Sequence, residues 1–373
     1  MRVALLLGRS TGGIGTHVVD LAAGLRTLGD EVAVVTDRTT AQRFGIAGAR
    51  CWWPTGASGM LRSLRGLRSL RALARGADVL HAHGHQAGLL ATVATVGVRT
   101  PVVVTQHNAI LARPGLRGLE PRLMSGLVQR LVTRRAALVT GASSDLVEEA
   151  RRRGARDARL AAVPSPRVPL LLAQGPDDVV TRHARAAELL EGAGVTPSGP
   201  LVLTVSRIAP QKSLEVLLAA AAALDRPVTW VVLGDGEAGL LSVLRSRALS
   251  LGVPVHFLGA VADPAPWLRS AEVFVLPSRW EARALVVQEA MAAGTPVVSS
   301  DVGGLHDLVD GVGLLVPVGD ASQLARSVEA VLGDSELRGR LSELGRGRAA
   351  SWDDGTATAR RWHDWYASLP RMT

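Results

Sequence analysis

The sequence predicts an α/β protein of two domains, each built around a parallel sheet. Three observations carry this. The chain has 373 residues, more than one ordinary core accommodates, so two domains of comparable size are expected. Short β-branched or leucine-rich runs alternate with longer helical patterns from end to end, the signature of strand–helix–strand units. Proline and glycine concentrate in "AVPSPRVPLLLAQGPDD" and "GAGVTPSGP", which puts a boundary between about Pro164 and Pro200.

In order, the first series of strands is "RVALLL", "EVAVVT", "DVLHAH", "PVVVTQ" and "AALVT". The second is "PLVLTVS", "VTWVVLG", "VPVHFLG", "AEVFVLP" and "TPVVSS". The expected organisation is an N-terminal domain over 1–170, a linker or hinge over 171–200 and a C-terminal domain over 201–351. The last segment, "SWDDGTATARRWHDWYASL", reads as a terminal helix over 352–373, capped by Ser351. It would pack back across the boundary on Trp352, Trp362, Trp365 and Tyr366.

Composition narrows the class. With 47% hydrophobic and 20% charged residues the chain is a folded globular protein. The uncharged runs "AGLLATVATVGV" and "VLLAAAAAL" fall short of the roughly 18 to 20 residues a membrane span needs and read as buried helices. The N-terminal "MRVALLLGRSTGG" runs straight into a glycine loop, so it reads as a first strand rather than a signal peptide, and a cytoplasmic location is expected. A single Cys51 excludes an intramolecular disulfide and a cysteine zinc site. The net charge of +9 favours anionic partners. Aromatics at 3%, with no helix-turn-helix, zinc-finger or RNP-type signature, count against nucleic acid. Phosphorylated small molecules and anionic membrane surfaces remain.

In parallel α/β sheets ligands sit at the carboxyl ends of strands, so those loops are read most closely. The first is "GRSTGGIG", where Gly12, Gly13 and Gly15 let the backbone approach a ligand and the following helix offers its N-terminus to an anion. Asp37, about 20 residues on, also permits a nicotinamide-binding turn, although the glycines do not spell G-x-G-x-x-G; bare turn geometry is a third reading. In "HAHGHQ" His81, His83 and His85 alternate and would share one face of a continuing strand. As a metal site the ligand set is incomplete. His107, at the end of the next strand, is placed either to donate a hydrogen bond to a polar substrate or to serve packing.

In the second half, "SRIAPQKSLEVLL" sets Arg207 just past a strand and Lys212 just before a helix, a pattern suited to clamping phosphate. Glu281 and Glu289 lie in "SRWEARALVVQEAMAAGTPVVSSDVGG", a stretch so apolar that carboxylates there need partners. A helix starting near Ala284 and Leu285 would hold a phosphate at its free amides. Glu289, a turn and a half on, would then reach an attached ribose, and Glu281 would face a sugar beyond the phosphate.

These residues in this order resemble the retaining GT-B glycosyltransferases that use nucleotide diphosphate sugars, over nearly the whole chain. The motifs are "GGIGTHVVDLAAGLRTLGDEVAVVT", "DVLHAHGHQAGLLA", "VVVTQHN", "VSRIAPQKSLEVLL", "VLGDGE", "VHFLGAV" and "EARALVVQEAMAAGTPVVSSDVGG". The resemblance implies two Rossmann-like domains facing across a cleft. It implies that Arg207 and Lys212 bind the diphosphate, Glu289 the ribose, and Glu281 with His107 the transferred sugar. Gly12, Gly13, Gly234, Arg283, Ala284 and Leu285 would belong to the donor site, and His83 and Gly15 to the acceptor side. No cofactor and no metal are implied, because cationic side chains and a helix dipole stabilise the leaving diphosphate. The chain departs from the family in "EARA", where glycine and an aromatic or proline are usual, and in "VPSPRVP", which replaces an asparagine-containing "VPNG".

The expected activity is therefore transfer of a hexose-type sugar, with retention, to a hydroxyl acceptor that is a glycan, a lipid-linked molecule or a small molecule. A sugar-nucleotide epimerase or phosphorylase of the same architecture and a catalytically idle nucleotide-sugar-binding protein are the rivals. Acceptor-dependent turnover separates the first of these from the second, and donor-dependent nucleotide release from the third. Finally, "LRSLRGLRSLRALARG" sets leucines at 61, 64, 67, 70 and 73 among arginines at 62, 65, 68, 71 and 75. That is either a core-facing helix with solvated arginines or an interfacial helix for peripheral association with an anionic membrane at its inner face.

Overall fold

The computed structural model describes residues 1–10, 12–54, 60–108, 119–161 and 163–370, with the side chains of 60–62 and 119–125 outside the description. It holds two compact units, Met1–Pro164 with Asp353–Thr373, and Ser165–Trp352.

The first unit's sheet consists of β1 (Arg2–Leu7), β2 (Glu31–Thr36), β3 (Arg50–Cys51), β4 (Val79–His83), β5 (Val102–Gln106), β6 (Leu138–Gly141) and β7 (Ala158–Leu160). Their order is β3-β2-β1-β4-β5-β6-β7, and every pairing is parallel. Alternate side chains of β1 feed two cores, as the pleat requires. Val3, Leu5 and Leu7 meet Val18, Leu21 and Leu25 of helix Gly13–Thr27 and Trp362 and Tyr366 of helix Gly355–Ala367. Ala4 and Leu6 face Leu70 and Ala74 of helix Met60–Gly76 and Ala87 and Ala91 of helix His85–Ala94.

The second sheet consists of β8 (Leu201–Val205), β9 (Thr229–Leu233), β10 (Val255–Gly259), β11 (Val273–Leu276), β12 (Val297–Ser300) and β13 (Leu314–Val316). Its order is β10-β9-β8-β11-β12-β13, again all parallel. Leu203, Val231, Phe274 and Leu276 pack with Val287 and Ala290 of helix Leu285–Ala293 on one face. Val202, Trp230, Val232 and Val275 pack with Leu217 and Leu218 of helix Leu214–Ala222 on the other.

Both sheets thus match the α/β, Rossmann-like reading, and two details around them differ from expectation. Residues 171–200 are not a bare linker: helices Val168–Gln174 and Val179–Gly192 bury Leu171, Ala186 and Leu190 against Trp267 and Leu268 in the second unit. Arg269 fastens them through Asp177, with contacts of 2.8 and 2.6 Å. The terminal helix is Gly355–Ala367 and its cap is Asp354, which accepts from the Ala357 amide at 2.7 Å. Ser351 instead ends helix Ser335–Ala350, and Trp352 belongs to the second unit. In helix Met60–Gly76, Leu67, Leu70 and Leu73 pack into the core while Arg65, Arg68 and Arg75 are exposed. Leu61 and Arg62 lie outside the described side chains. The apolar stripe is therefore largely the unit's own core, and Leu64, 48% exposed, is the described leucine left for any other surface.

Candidate functional site

In each sheet the strand order reverses beside its first strand, between β1 and β4 and between β8 and β11. Strand order opens a crevice at such points, outside the carboxyl ends. The residues singled out from sequence follow those strands.

In the second unit, β8 leads into Arg207 and a short turn Pro210–Lys212. Ser213 then adopts φ 49°, the positive value otherwise found only at glycines among the described residues. This strained residue turns the chain between Lys212 and helix Leu214–Ala222. The loop after β11 is laced to it. The Arg279 amide donates to the Gln211 carbonyl at 2.8 Å, Gln211 Nε2 to the Trp280 carbonyl at 2.5 Å, and Arg279 Nε to Ser213 Oγ at 3.2 Å. Lys212 Nζ donates to Glu281 Oε1, and the two side chains are only 12% and 11% exposed. On the other flank the Gly304 amide donates to the Glu281 carbonyl at 2.8 Å. A Cβ on Gly303 would lie 2.4 Å from that carbonyl, so glycine is required there.

Glu281 is thus a paired, nearly buried carboxylate fixed by both neighbouring loops. The Lys212 ammonium retains donor capacity beyond its bond to Glu281. Arg207 is exposed, and its guanidinium has no partner among the described residues. Ala284 caps helix Leu285–Ala293 at φ −71°, so the alanines of "EARA" sit in ordinary backbone space. The amides of Ala284, Leu285 and Val286 have no backbone acceptor among the described residues, which leaves them available to an anion.

Glu289 is 4% exposed and accepts from Ser165 Oγ at 2.6 Å. Burial pushes its carboxyl above the usual range, against the pull of Ser165 and Arg167. Arg283, expected beside the donor, is half-buried with its guanidinium 5.3 Å over the Trp352 ring. Burial lowers its pKa to about 10. Gly234 has φ 131°, and a Cβ would sit 2.0 Å from the Ser206 carbonyl. Its glycine is thus dictated by close backbone packing of the β8 and β9 loops.

In the first unit, Gly12 and Gly13 stand exposed at the start of helix Gly13–Thr27. Gly15 is a packing glycine: a Cβ there would come within 2.3 Å of the Phe44 ring. His83 and His107 are both buried, with His83 Nδ1 3.1 Å from His107 Nε2. His81, on the same face of β4, bonds Tyr366 Oη at 2.6 Å and Thr105 Oγ1 at 2.7 Å. His17, which sequence reasoning passed over, packs edge-on to His83 and His107 at 5.7 Å each. Burial holds His17 at about 4 and the other three well below the ordinary imidazole value, with mutual repulsion adding to it for those three. His85 is separate, its Nε2 3.0 Å from the Asn108 carbonyl. Among the described residues no group of three or more His, Cys, Asp or Glu side chains is arranged to hold a metal ion.

Sequence comparison places this arrangement among known proteins. A family profile described as "Glycosyl transferase 4-like domain" matches residues 12–166, and one described as "Glycosyl transferases group 1" matches residues 199–334. The chain is 32% identical to a D-inositol 3-phosphate glycosyltransferase of Jonesia denitrificans, over 93% of this chain and 89% of that one. It is 31% identical to a phosphatidyl-myo-inositol mannosyltransferase of Mycolicibacterium smegmatis, over 88% and 83%. Among solved structures, Anabaena HepE in complex with UDP superposes with TM-score 0.82 at 21% identity, covering 99% of this chain and 100% of that one. Sucrose-phosphate synthase from Thermosynechococcus elongatus gives 0.78 at 23%, covering 98% of each. At these identities the structural likeness shows the fold, which is GT-B.

Proposed function

This chain belongs to the group 1 glycosyl transferases, and from that premise we propose that it moves a hexose-type sugar, with retention and without a metal ion, from a nucleotide diphosphate sugar to a hydroxyl acceptor. The observation that carries the reading is the Lys212–Glu281 pair, held between the β8 and β11 loops beside free helix amides. Arg207, Lys212 and the amides of Ala284 and Leu285 supply positive charge to the diphosphate. Glu281 accepts from hydroxyls of the sugar, and Glu289 accepts from the ribose. The acceptor oxygen attacks the anomeric carbon on the face from which the diphosphate departs. The C–O bond to the phosphate breaks, and the acceptor proton passes to the departing phosphate oxygen. Positive groups aimed at that charge lower the barrier because they need no reorganisation. The relatives named for inositol phosphate and phosphatidylinositol support a hydroxyl acceptor.

Turnover is expected to persist in excess chelator, since the cations of the chain do what a divalent ion does elsewhere. Loss in chelator that added Mg²⁺ or Mn²⁺ restores would overturn the metal-free reading.

No helix among the described residues is long and apolar enough to cross a membrane. We also propose a peripheral, electrostatic contact with anionic lipid through Arg65, Arg68 and Arg75, which stand exposed on one helix, because such groups contribute about 1 kcal/mol each near an anionic leaflet. Binding to anionic but not neutral vesicles in flotation, weakened by salt and by Arg65, Arg68 and Arg75 to Ser, is expected. Failure to float with either would leave a soluble acceptor.

A further inference from the structure

Where the chain enters its second unit, the residues before helix Val168–Gln174 form a built contact around Glu289. Ser165 is 1% exposed. Its hydroxyl donates to Glu289 Oε1 at 2.6 Å, and its amide donates to Gln288 Oε1 at 3.3 Å. Two successive residues of helix Leu285–Ala293 therefore grip the same serine. Arg167 Nη1 lies 3.5 Å from the same Oε1, and its amide donates back to Ser165 Oγ at 3.3 Å. Glu289 Oε1 is thus engaged twice, while Oε2 has no hydrogen bond to a described residue.

We propose that Ser165 and Arg167 are positioning residues of the donor site, holding the charged Glu289 carboxylate with Oε1 engaged and Oε2 turned to the ribose hydroxyls. This rests on the reading of Glu289 as the ribose acceptor. It gives the segment "PSPRVP" a role at the nucleotide that its place between the units does not suggest. A carboxyl accepts two hydroxyls together, and accepts them most strongly, while ionised, because protonation turns one oxygen into a donor, and burial works against the ionised form. Around Glu289, Arg167 is the attractive charge and Asp263, 3.7 Å from Arg167 Nε, is a repulsive one. Other cations on the packed elements are engaged elsewhere. Arg346 of helix Ser335–Ala350 donates to the Ala292 and Leu172 carbonyls. Arg269 pairs with Asp177, and Lys212 with Glu281. Without Arg167 the Glu289 carboxylate takes up its proton at higher pH, so nucleotide affinity acquires a pH dependence.

The test is calorimetry on the full chain with whichever of UDP, GDP and ADP binds the wild type most tightly, at pH 7.5 and 5.5. Arg167→Met is expected to bind about 10-fold more weakly at pH 5.5 than at 7.5, where the wild type changes little; Arg167→Lys should restore most of the difference. Ser165→Ala should weaken binding at both pH values. Arg167 is 43% exposed, so its variants should melt as the wild type does. Glu289→Ala separates the two ideas. If it binds as tightly as wild type, the ribose reading fails. If it binds at least 10-fold more weakly while Arg167→Met follows the wild type at both pH values, the ribose reading stands and the positioning role is overturned.

Discussion

Lys212→Met should lower kcat by about 10²- to 10³-fold, the range seen when one preorganised group facing developing charge is removed. It should also destabilise the second unit by about 3–5 kcal/mol, because Glu281 would be left as an uncompensated, nearly buried carboxylate. The two effects separate in the double variant Lys212→Met/Glu281→Gln. Neutralising both members removes the stranded charge and should recover much of the stability, while turnover stays low because the diphosphate still lacks its cation. Steady-state kinetics and urea denaturation of the three variants check this. Recovery of turnover along with stability would make the pair a purely structural ion pair.

Acidification should destabilise the first unit well before its carboxylates protonate. His17, His81, His83 and His107 are buried as neutral imidazoles with lowered pKa values. Below the unfolded value of about 6.5 the unfolded chain takes up protons that the folded chain refuses. Stability is therefore fully present above that pH and falls as pH drops, for His17 down to its folded value of about 4. Each such group contributes up to about 1.4 kcal/mol per pH unit. The stability measured in urea should thus fall by several kcal/mol between pH 7.5 and 5, and His17→Leu should flatten the slope. Equal stability at the two pH values would mean that the cluster accepts protons while folded.

The sheets were legible because parallel strands covered on both faces read as near-continuous apolar runs, as in "RVALLL" and "AEVFVLP". The missed strands, Arg50–Cys51, Ala158–Leu160 and Leu314–Val316, are sheet edges of two or three residues, too short to show a period. Arg207, Lys212 and Glu281 stand out in the sequence because residue type and a place after a strand end agree. The pairings do not. Lys212 and Glu281 are 69 residues apart, and Ser165 and Glu289 are 124 apart, so no local pattern joins them. Arg283 enters the donor site only through the resemblance, and its contact with the Trp352 ring, 69 residues on, has no local signal in the sequence. At Gly15 and Gly234 the Phe44 ring and the Ser206 carbonyl leave no room for a Cβ, a requirement for glycine independent of any ligand. A glycine's reason is set by what packs on it, which the sequence around it does not contain. The proline-rich stretch after Pro164 read as a hinge because proline marks boundaries, and its Ser165 and Arg167 turn out to sit on Glu289.

The central claim, that this chain takes its sugar from a nucleotide diphosphate donor, is tested most directly by nucleotide release from a panel of UDP-, GDP- and ADP-sugars. Each should be assayed with and without a hydroxyl acceptor such as inositol 3-phosphate, alongside Lys212→Met. At least one donor should release its nucleoside diphosphate faster with acceptor present, at a rate that collapses in the variant. Failure of every donor to release nucleotide or raise the melting temperature of the wild type would contradict the account.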